Sequence, residues 1–451
     1  MKRRSVLLVA VALLVPAFVH ASTTRVRSAP RAEPAHDGRN EHARKLGSPS
    51  ASRSDREAED ILVGTGKNPD GATPNEAQAL KRLRRAAAQG NVNAEAVLGA
   101  MYYLGRGVGR NYAQALVWLR RAAAGGNVHA EAVLGAMYYR GRGVGRSYAQ
   151  ALAWFRRAAV QGDPYADLRL GMMYVNGQGV SRSDAKAAEW FRRAARRGNV
   201  AAADRLGGMY YLGQGVARNY TKARVWLRRA AAKGDPRAEL RLGLLYYRGQ
   251  GVSRSDARAA EWFRRAAAQG EPYAEYVLGL MYDTGQGVTR NYAQAAGWFR
   301  RASMQGQTDA EYRLAEMYFL GQGVRRSYTK AVTWMRRAAV QGNPYAEIGL
   351  GVLYARRLGP KNPVSVYKWF LIAKAIMTVT HRRRHNPRYP VLAALLKVFS
   401  SHMTPVQIEQ ARREANAWIA AYIVRLLHGQ GVKPTRVQAP TENVHGGGRS
   451  P

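Results

Sequence analysis

The phrase WLRRAA at Trp118 to Ala123 returns with small changes at Trp154, Trp190, Trp226, Trp262, Trp298 and Trp334, each time 36 residues further on. One inserted residue would turn a helical face by about 100° and break its match to the neighbour, so a spacing this constant demands copies of one packed unit. The chain is therefore predicted to be a tandem array that grows lengthwise without a single deep core. That overrides the division into about three ordinary domains that 451 residues would otherwise suggest.

Within a unit the apolar residues recur at helical spacing. Ala94, Leu98, Met101 and Tyr102 share one face of a predicted first helix of about eleven residues. Gly105-Arg106-Gly107-Val108 follows, glycines suited to a left-handed helix end and a tight reversal. Asn111 is then placed to cap a second helix whose buried stripe is Ala115, Leu116, Leu119, Ala122 and Ala123, with Trp118 beside it. The equivalent caps are Ser147, Ser183, Asn219, Ser255, Asn291 and Ser327. At unit junctions a capping residue precedes proline, as in Asp163-Pro164 and Asp235-Pro236, which suits proline at the first helical turn. Each unit thus reads as two antiparallel helices.

Two segments, AEAVLGAMYYLGRGV at Ala94 to Val108 and NYAQALVWLRRAAAGG at Asn111 to Gly126, resemble Sel1-like repeats. The resemblance covers about residues 58 to 381, because alanine, Leu-Gly, Tyr, GxGV, the cap and Trp recur in register. It implies an all-α, right-handed α/α superhelical solenoid of 36-residue helix-turn-helix repeats, related to tetratricopeptide arrays and serving as an adaptor for other proteins. It also implies that the first helices line the concave surface. The chain departs from the family at Ala315, which replaces the helix glycine, and in its caps, Asn or Ser where Asp is frequent.

The expected organisation is a signal peptide at 1–21, a disordered linker at 22–57, a degenerate repeat at 58–93 and seven repeats at 94–345. A degenerate repeat at 346–381, capping helices at 382–432 and a disordered tail at 433–451 complete it. In 58–93 Arg82 stands in the Trp column and Gly66 in the Tyr column, so its first helix is expected to fray. Beyond the array, Val391 to Phe399 is apolar, and Thr404-Pro405-Val406-Gln407 reads as a capping box opening a last helix with Ile408, Ala411, Ala415, Trp418 and Tyr422 on one side.

Lys2, Arg3 and Arg4 followed by an apolar run from Val6 to Val15 and Val19-His20-Ala21 read as a secretory leader cleaved after Ala21. The apolar run is about half of what a spanning helix needs, and no other stretch suits a bilayer, so the chain is not expected to span one. The expected location is therefore periplasmic or secreted. Without cysteine there is no disulfide framework, lipid-modified cysteine or thiolate metal site. A net charge of +41 (71 basic against 30 acidic residues) draws anionic surfaces.

No catalytic constellation stands out, and neither a cofactor nor a small-molecule substrate is expected. Ser183-Asp184-Ala185-Lys186 and Ser327-Tyr328-Thr329-Lys330 match the SxxK of penicillin-recognising enzymes, but both serines fall on helix caps and no KTG-like partner follows. The GxGxG strings at Gly105 and Gly141 lie between helices and read as turns. His381 and His385 flank Arg382, Arg383 and Arg384, a basic loop rather than a metal site.

Two arginine ladders remain. One follows each Trp, from Arg120 and Arg121 to Arg336 and Arg337, and is expected to complement the helix dipole and face acids in the following first helices. These acids are Glu95, Glu131, Asp167, Glu239, Glu275, Glu311 and Glu347. The other precedes each cap (Arg110, Arg146, Arg182, Arg218, Arg254, Arg290, Arg326) and either forms an exposed basic ridge or serves the fold.

Two variable columns, named by their first-repeat numbers, are candidates for contact with a partner. Column 97 carries Arg169, Arg205, Arg241 and Arg313, and column 103 carries Tyr103, Tyr139, Tyr211, Tyr247 and Phe319. Aromatics beside arginines dominate binding hot spots, so Arg169, Arg205, Tyr211, Arg241 and Tyr247 are expected to form a central groove for an acidic protein or peptide segment. Column 103 is alternatively the edge of the core. The competing function is polyanion binding, to cell-wall polymer, lipopolysaccharide or extracellular nucleic acid.

Overall fold

A computed structural model describes residues 74–355, 362–379 and 389–427. The leader, the linker, the first helix of the 58–93 repeat, the loop with His381 and His385, and the tail lie outside the described residues. All regular structure among the described residues is helical. These residues fall into two compact units, divided between Gln269 and Gly270.

The 74–269 unit opens with α1 (Pro74–Ala88) and continues as helix pairs. The pairs are α2 (Val92–Leu104) with α3 (Tyr112–Ala124), α4 (Val128–Arg140) with α5 (Tyr148–Val160), and α6 (Pro164–Asn176) with α7 (Asp184–Arg196). Two more follow, α8 (Val200–Leu212) with α9 (Tyr220–Ala231) and α10 (Pro236–Arg248) with α11 (Asp256–Ala268). The other unit holds α12 (Pro272–Thr284) with α13 (Tyr292–Met304), α14 (Thr308–Leu320) with α15 (Tyr328–Val340), and α16 (Pro344–Ala355) with α17 (Pro363–Val379). It closes on α18 (Tyr389–Ser400) and α19 (Pro405–Leu427).

Local chemistry sets these boundaries. The first helices run to thirteen residues, two more than expected at the front, because Asn91 accepts a hydrogen bond from Ala94 N at 3.0 Å and so starts α2 at Val92. At the other end Gly105, at φ 75°, donates its N–H to Met101 O, a conformation that costs other residues roughly 1 kcal/mol or more. Asn111 and all six equivalent residues cap the second helices with their side chains. The second glycine of GxGV has a different duty, which the spacing did not reveal. A Cβ on Gly179 would lie 2.8 Å from the carbonyl oxygen of Tyr148, in the preceding repeat, so this glycine lets successive repeats close on each other.

The core of each pair is formed by the residue after the Trp. Leu119, Phe155, Phe191, Leu227, Phe263 and Phe299 are essentially inaccessible, as are the alanines beside them. The Trp column and Leu116, both placed in or beside the buried stripe by periodicity, are only half-buried. Each fully buried side chain presses on the helix glycine opposite: a Cβ on Gly135 would lie 2.7 Å from Phe155, and one on Gly207 2.7 Å from Leu227. The departure at Ala315 is matched here, because the facing residue is the slender Met335, buried in the same cluster.

The last two helices cover the terminal repeat. Thr404 N donates to Gln407 Oε1 at 3.0 Å and Gln407 N to Thr404 Oγ1 at 3.3 Å, the reciprocal capping box read in the sequence. Ala411 and Ala415 are buried, Phe399 meets Phe370 edge-on, and Trp418 stacks on Tyr422 and meets Trp369 edge-on. Glu409, Arg412 and Arg413 face solvent, while Glu414 pairs with Lys368 at 3.0 Å.

Candidate functional site

The arginine doublet after each Trp divides its work. The second arginine lies over the Trp ring, as Arg157 does over Trp154 at 4.8 Å, and reaches back 26 residues to a carboxylate in the first helix of its own repeat. Arg157 Nε donates to Glu131 Oε1 at 2.9 Å, and Gln161 Nε2 donates to the other oxygen at 2.8 Å. Arg121 holds Glu95, Arg265 holds Glu239 and Arg301 holds Glu275 in the same way. This corrects the expected direction of pairing, towards following helices: the end of the second helix folds back beside the start of its own first helix. The first arginine faces forward instead, Arg120 Nη2 donating to the Tyr138 hydroxyl of the next repeat at 2.9 Å. Burial raises the carboxyl pKa of Asp167, Glu239 and Glu275 despite these partners, and lifts that of Glu311 to about 7.

Column 103, read either as a partner contact or as the edge of the core, is tied into repeat-to-repeat contacts. Tyr103 is buried, its hydroxyl accepting from Arg140 Nη1 at 2.9 Å and Arg142 Nη1 at 3.1 Å. Tyr139 donates to Gln178 Oε1 at 2.7 Å, Tyr211 accepts from Arg248 Nη1 at 2.5 Å, and Tyr247 is buried. Tyr103, Tyr139, Tyr211 and Phe319 also set their rings against the tyrosine that opens the following second helix, at 5.4 to 5.7 Å. The hydroxyls and ring edges are therefore spent on the solenoid.

Column 97 differs. In the 74–269 unit the first helices of successive repeats approach one another directly, α2 with α4 and α8 with α10. Arg169, Arg205 and Arg241 stand on three successive first helices, α6, α8 and α10. Arg169 is buried, its guanidinium 4.4 Å from the Tyr139 ring centroid and 5.8 Å from that of Tyr165. Arg241 Nη1 bonds Asp204 Oδ1 of the preceding repeat. Arg205 is partly buried between them. In the other unit Arg313 pairs with Glu316 at 3.1 Å.

Sequence reading missed the residues that make the centre of this column unusual: Ala201, Asp204, Gly208 and Arg237. One signal pointed to them. The acidic rung present in the other repeats is Ala203 here, with the acid displaced to Asp204.

The ladder before the caps is exposed in all seven repeats. Arg110 donates to Leu104 O at the end of α2, while Arg146 is 5.7 Å from the Tyr148 ring, Arg218 5.7 Å from Tyr220, and Arg254 3.1 Å from Asp256, at the start of the second helices. Both SxxK serines are helix caps, Ser183 Oγ accepting from Lys186 N at 3.3 Å and Ser327 Oγ from Lys330 N at 3.4 Å. Their lysines turn to Tyr174 and Tyr318. Among the described residues no His, Asp or Glu group has the clustering a metal ion requires, and no helix is long and apolar enough to cross a membrane.

The Sel1 repeat matches eight consecutive segments, 64–91, 92–127, 128–163, 164–199, 200–235, 236–271, 272–307 and 308–343. Among solved structures, the chain is similar to a protective antigen of uropathogenic Escherichia coli strains displaying an SLR fold (28% identity, 86% of this chain and 97% of that one, TM-score 0.35). It is also similar to a Sel1 repeat protein from Oxalobacter formigenes (30% identity, 54% of this chain and 96% of that one, TM-score 0.48). No curated protein matches the chain.

Proposed function

The chain belongs to the Sel1 repeat family, whose members are generally protein-interaction scaffolds, and we propose that it is an exported, non-enzymatic scaffold that holds a segment of another protein, preferentially an acidic one. The segment lies on the first-helix face of the 74–269 unit. The observation that carries this reading is the rung of Arg169, Arg205 and Arg241 on three successive first helices. The column 103 tyrosines act beneath it as supports that fix the spacing of those helices.

Wild-type chain immobilised in envelope extract from its host should capture a protein that Arg169→Val/Arg205→Val releases. Valine already occupies this column at Val97, Val133 and Val277, so the variant keeps the fold. Undiminished capture by the folded variant would remove the partner from this face.

The exposed ridge of Arg110, Arg146, Arg182, Arg218 and Arg254 favours a second reading, polyanion binding. In that case affinity falls with a log-log salt slope of roughly the number of charges neutralised, and Arg146→Ser/Arg182→Ser/Arg218→Ser flattens the slope. Export is tested separately: mature protein should begin at Ser22, and intact Met1 on protein from the native envelope would exclude cleavage.

A further inference from the structure

The 200–235 repeat breaks the pattern of its neighbours on the first-helix face. Ala201, Asp204, Arg205 and Gly208 are spaced i, i+3, i+4 and i+7 and so form one stripe of α8. At the position of Gly208 the adjacent repeats carry Met172 and Leu244, and at that of Ala201 they carry Tyr165 and Arg237. The stripe thus carries small residues at both ends, and Gly208 is buried. The Arg241 guanidinium lies beside Gly208, 3.6 Å from where a Cβ would stand.

Charge is out of balance at the same place. The groups that act on Arg205 are one carboxylate, Asp204, and three arginines, Arg237, Arg241 and Arg169. Asp204 is engaged by Arg241. The other nearby carboxylate, Asp235, caps its own helix by accepting from Arg237 N at 3.0 Å and Ala238 N at 2.9 Å. Four guanidinium groups therefore share two carboxylates, each with its Oδ1 already accepting. Arg205 itself makes no hydrogen bond or ion pair among the described residues. Arg205 is only partly buried; burial and the neighbouring arginines both disfavour its charged form, and an anionic acceptor from outside the chain would offset this.

We propose that Arg205, on the α8 stripe between Ala201 and Gly208, is the anchor for a side-chain carboxylate of an acidic partner segment. This deepens the scaffold reading and rests on it. A carboxylate matches the guanidinium fork with two parallel hydrogen bonds, which a desolvated arginine makes strongly. A polypeptide suits the site better than a free anion because the cationic rungs continue on the helices to either side. Packed helices lie about 8–10 Å apart, and a polyproline-II strand rises about 3.1 Å per residue with three residues per turn, so every third side chain of a bound strand returns to the same face over the next rung. Arg237, exposed at the start of α10, is in place for an acidic residue beside the anchor.

The test uses the full chain and a fluorescently labelled hexaglutamate peptide at about 0.1 M salt, where exposed charge pairs more than about 10 Å apart are screened. One peptide per chain should bind, and Arg205→Val should weaken it by about tenfold or more, the effect of losing one charge-assisted fork. Arg196→Ser, removing an exposed arginine outside the stripe, should leave it within about twofold. Equal binding by a folded Arg205→Val variant, or no binding by wild type, overturns the anchor. Citrate or phosphate binding as tightly as the peptide overturns its polypeptide specificity. If hexaglutamate behaves as expected while the captured envelope partner ignores Arg169→Val/Arg205→Val, the anchor stands and the scaffold reading fails. The reverse pattern leaves the scaffold reading intact and sinks the anchor.

Discussion

Phe191→Ala should destabilise the 74–269 unit by about 3 to 5 kcal/mol, the cost of emptying a fully buried aromatic site. Phe191 is 1% exposed and lies against Gly171, where an added Cβ would stand 2.5 Å from Phe191 Cε1. Trp226→Ala should cost less, although Trp is the louder signal in the sequence, because that ring is only partly buried and lies beneath the Arg229 guanidinium, 4.6 Å from its centroid. The contact also predicts a coupling. Gly171→Ala alone overpacks the site and should cost about 1 to 3 kcal/mol. Gly171→Ala/Phe191→Met, which copies Ala315 and Met335, should cost less than the two single changes together, since the thin methionine chain yields to the new methyl group. Denaturant unfolding of wild type, Phe191→Ala, Trp226→Ala, Gly171→Ala, Phe191→Met and the double variant, with hydrogen exchange across residues 164–196 as a local readout, measures both effects. Additive costs would show that glycine and aromatic are not matched through contact.

Glu347→Leu should stabilise the 270–427 unit near neutral pH by about 1 to 3 kcal/mol, the penalty of a buried polar group with no partner. Glu347 continues the acidic ladder, but the repeat is one residue short at the Trp and the arginine doublet is replaced by Leu371 and Ile372. The carboxyl is completely buried, and neither oxygen has a hydrogen-bond partner. Burial alone pushes its pKa well above the ordinary value of 4.5. The folded state therefore holds a proton that the unfolded chain releases from about pH 4.5 upward, and stability falls as pH rises through that window. Glu311, raised to about 7 by burial against the opposing pull of Arg337, contributes in the same direction. Between about pH 5 and about pH 8 the wild-type unit should lose stability, and Glu347→Leu should flatten the slope while leaving the share due to Glu311. Hydrogen exchange of residues 344–355 at the two pH values tests this. An unchanged slope in the variant would mean that Glu347 ionises freely in the folded protein.

Much of the architecture was legible because it depends on short-range chemistry. Caps at Asn111 or Ser183, the left-handed turn at Gly105 and the capping box at Thr404 and Gln407 are each satisfied within a few residues of chain, so residue type and spacing suffice to find them. The interval of 36 residues carried the remaining step, since identical units can bury identical faces only by stacking. The functional columns were harder to read. Periodicity locates a helical face to within about 100°, the step between consecutive residues, so it placed Leu119 in the buried stripe but set Leu116 there as well, which the structure leaves partly exposed.

What the sequence by itself determined was the repeat, its two helices, their ends and the glycines that turn them. Only the tertiary structure decided that Arg157 reaches back to Glu131 and Arg120 forward to Tyr138, that Tyr103 spends its hydroxyl on the next repeat, and that Arg205 finds no acceptor. The physical reason is the range of the interactions. Pairings across 18, 26 or 37 residues depend on how neighbouring helices lie side by side, a geometry that no local pattern in the chain encodes.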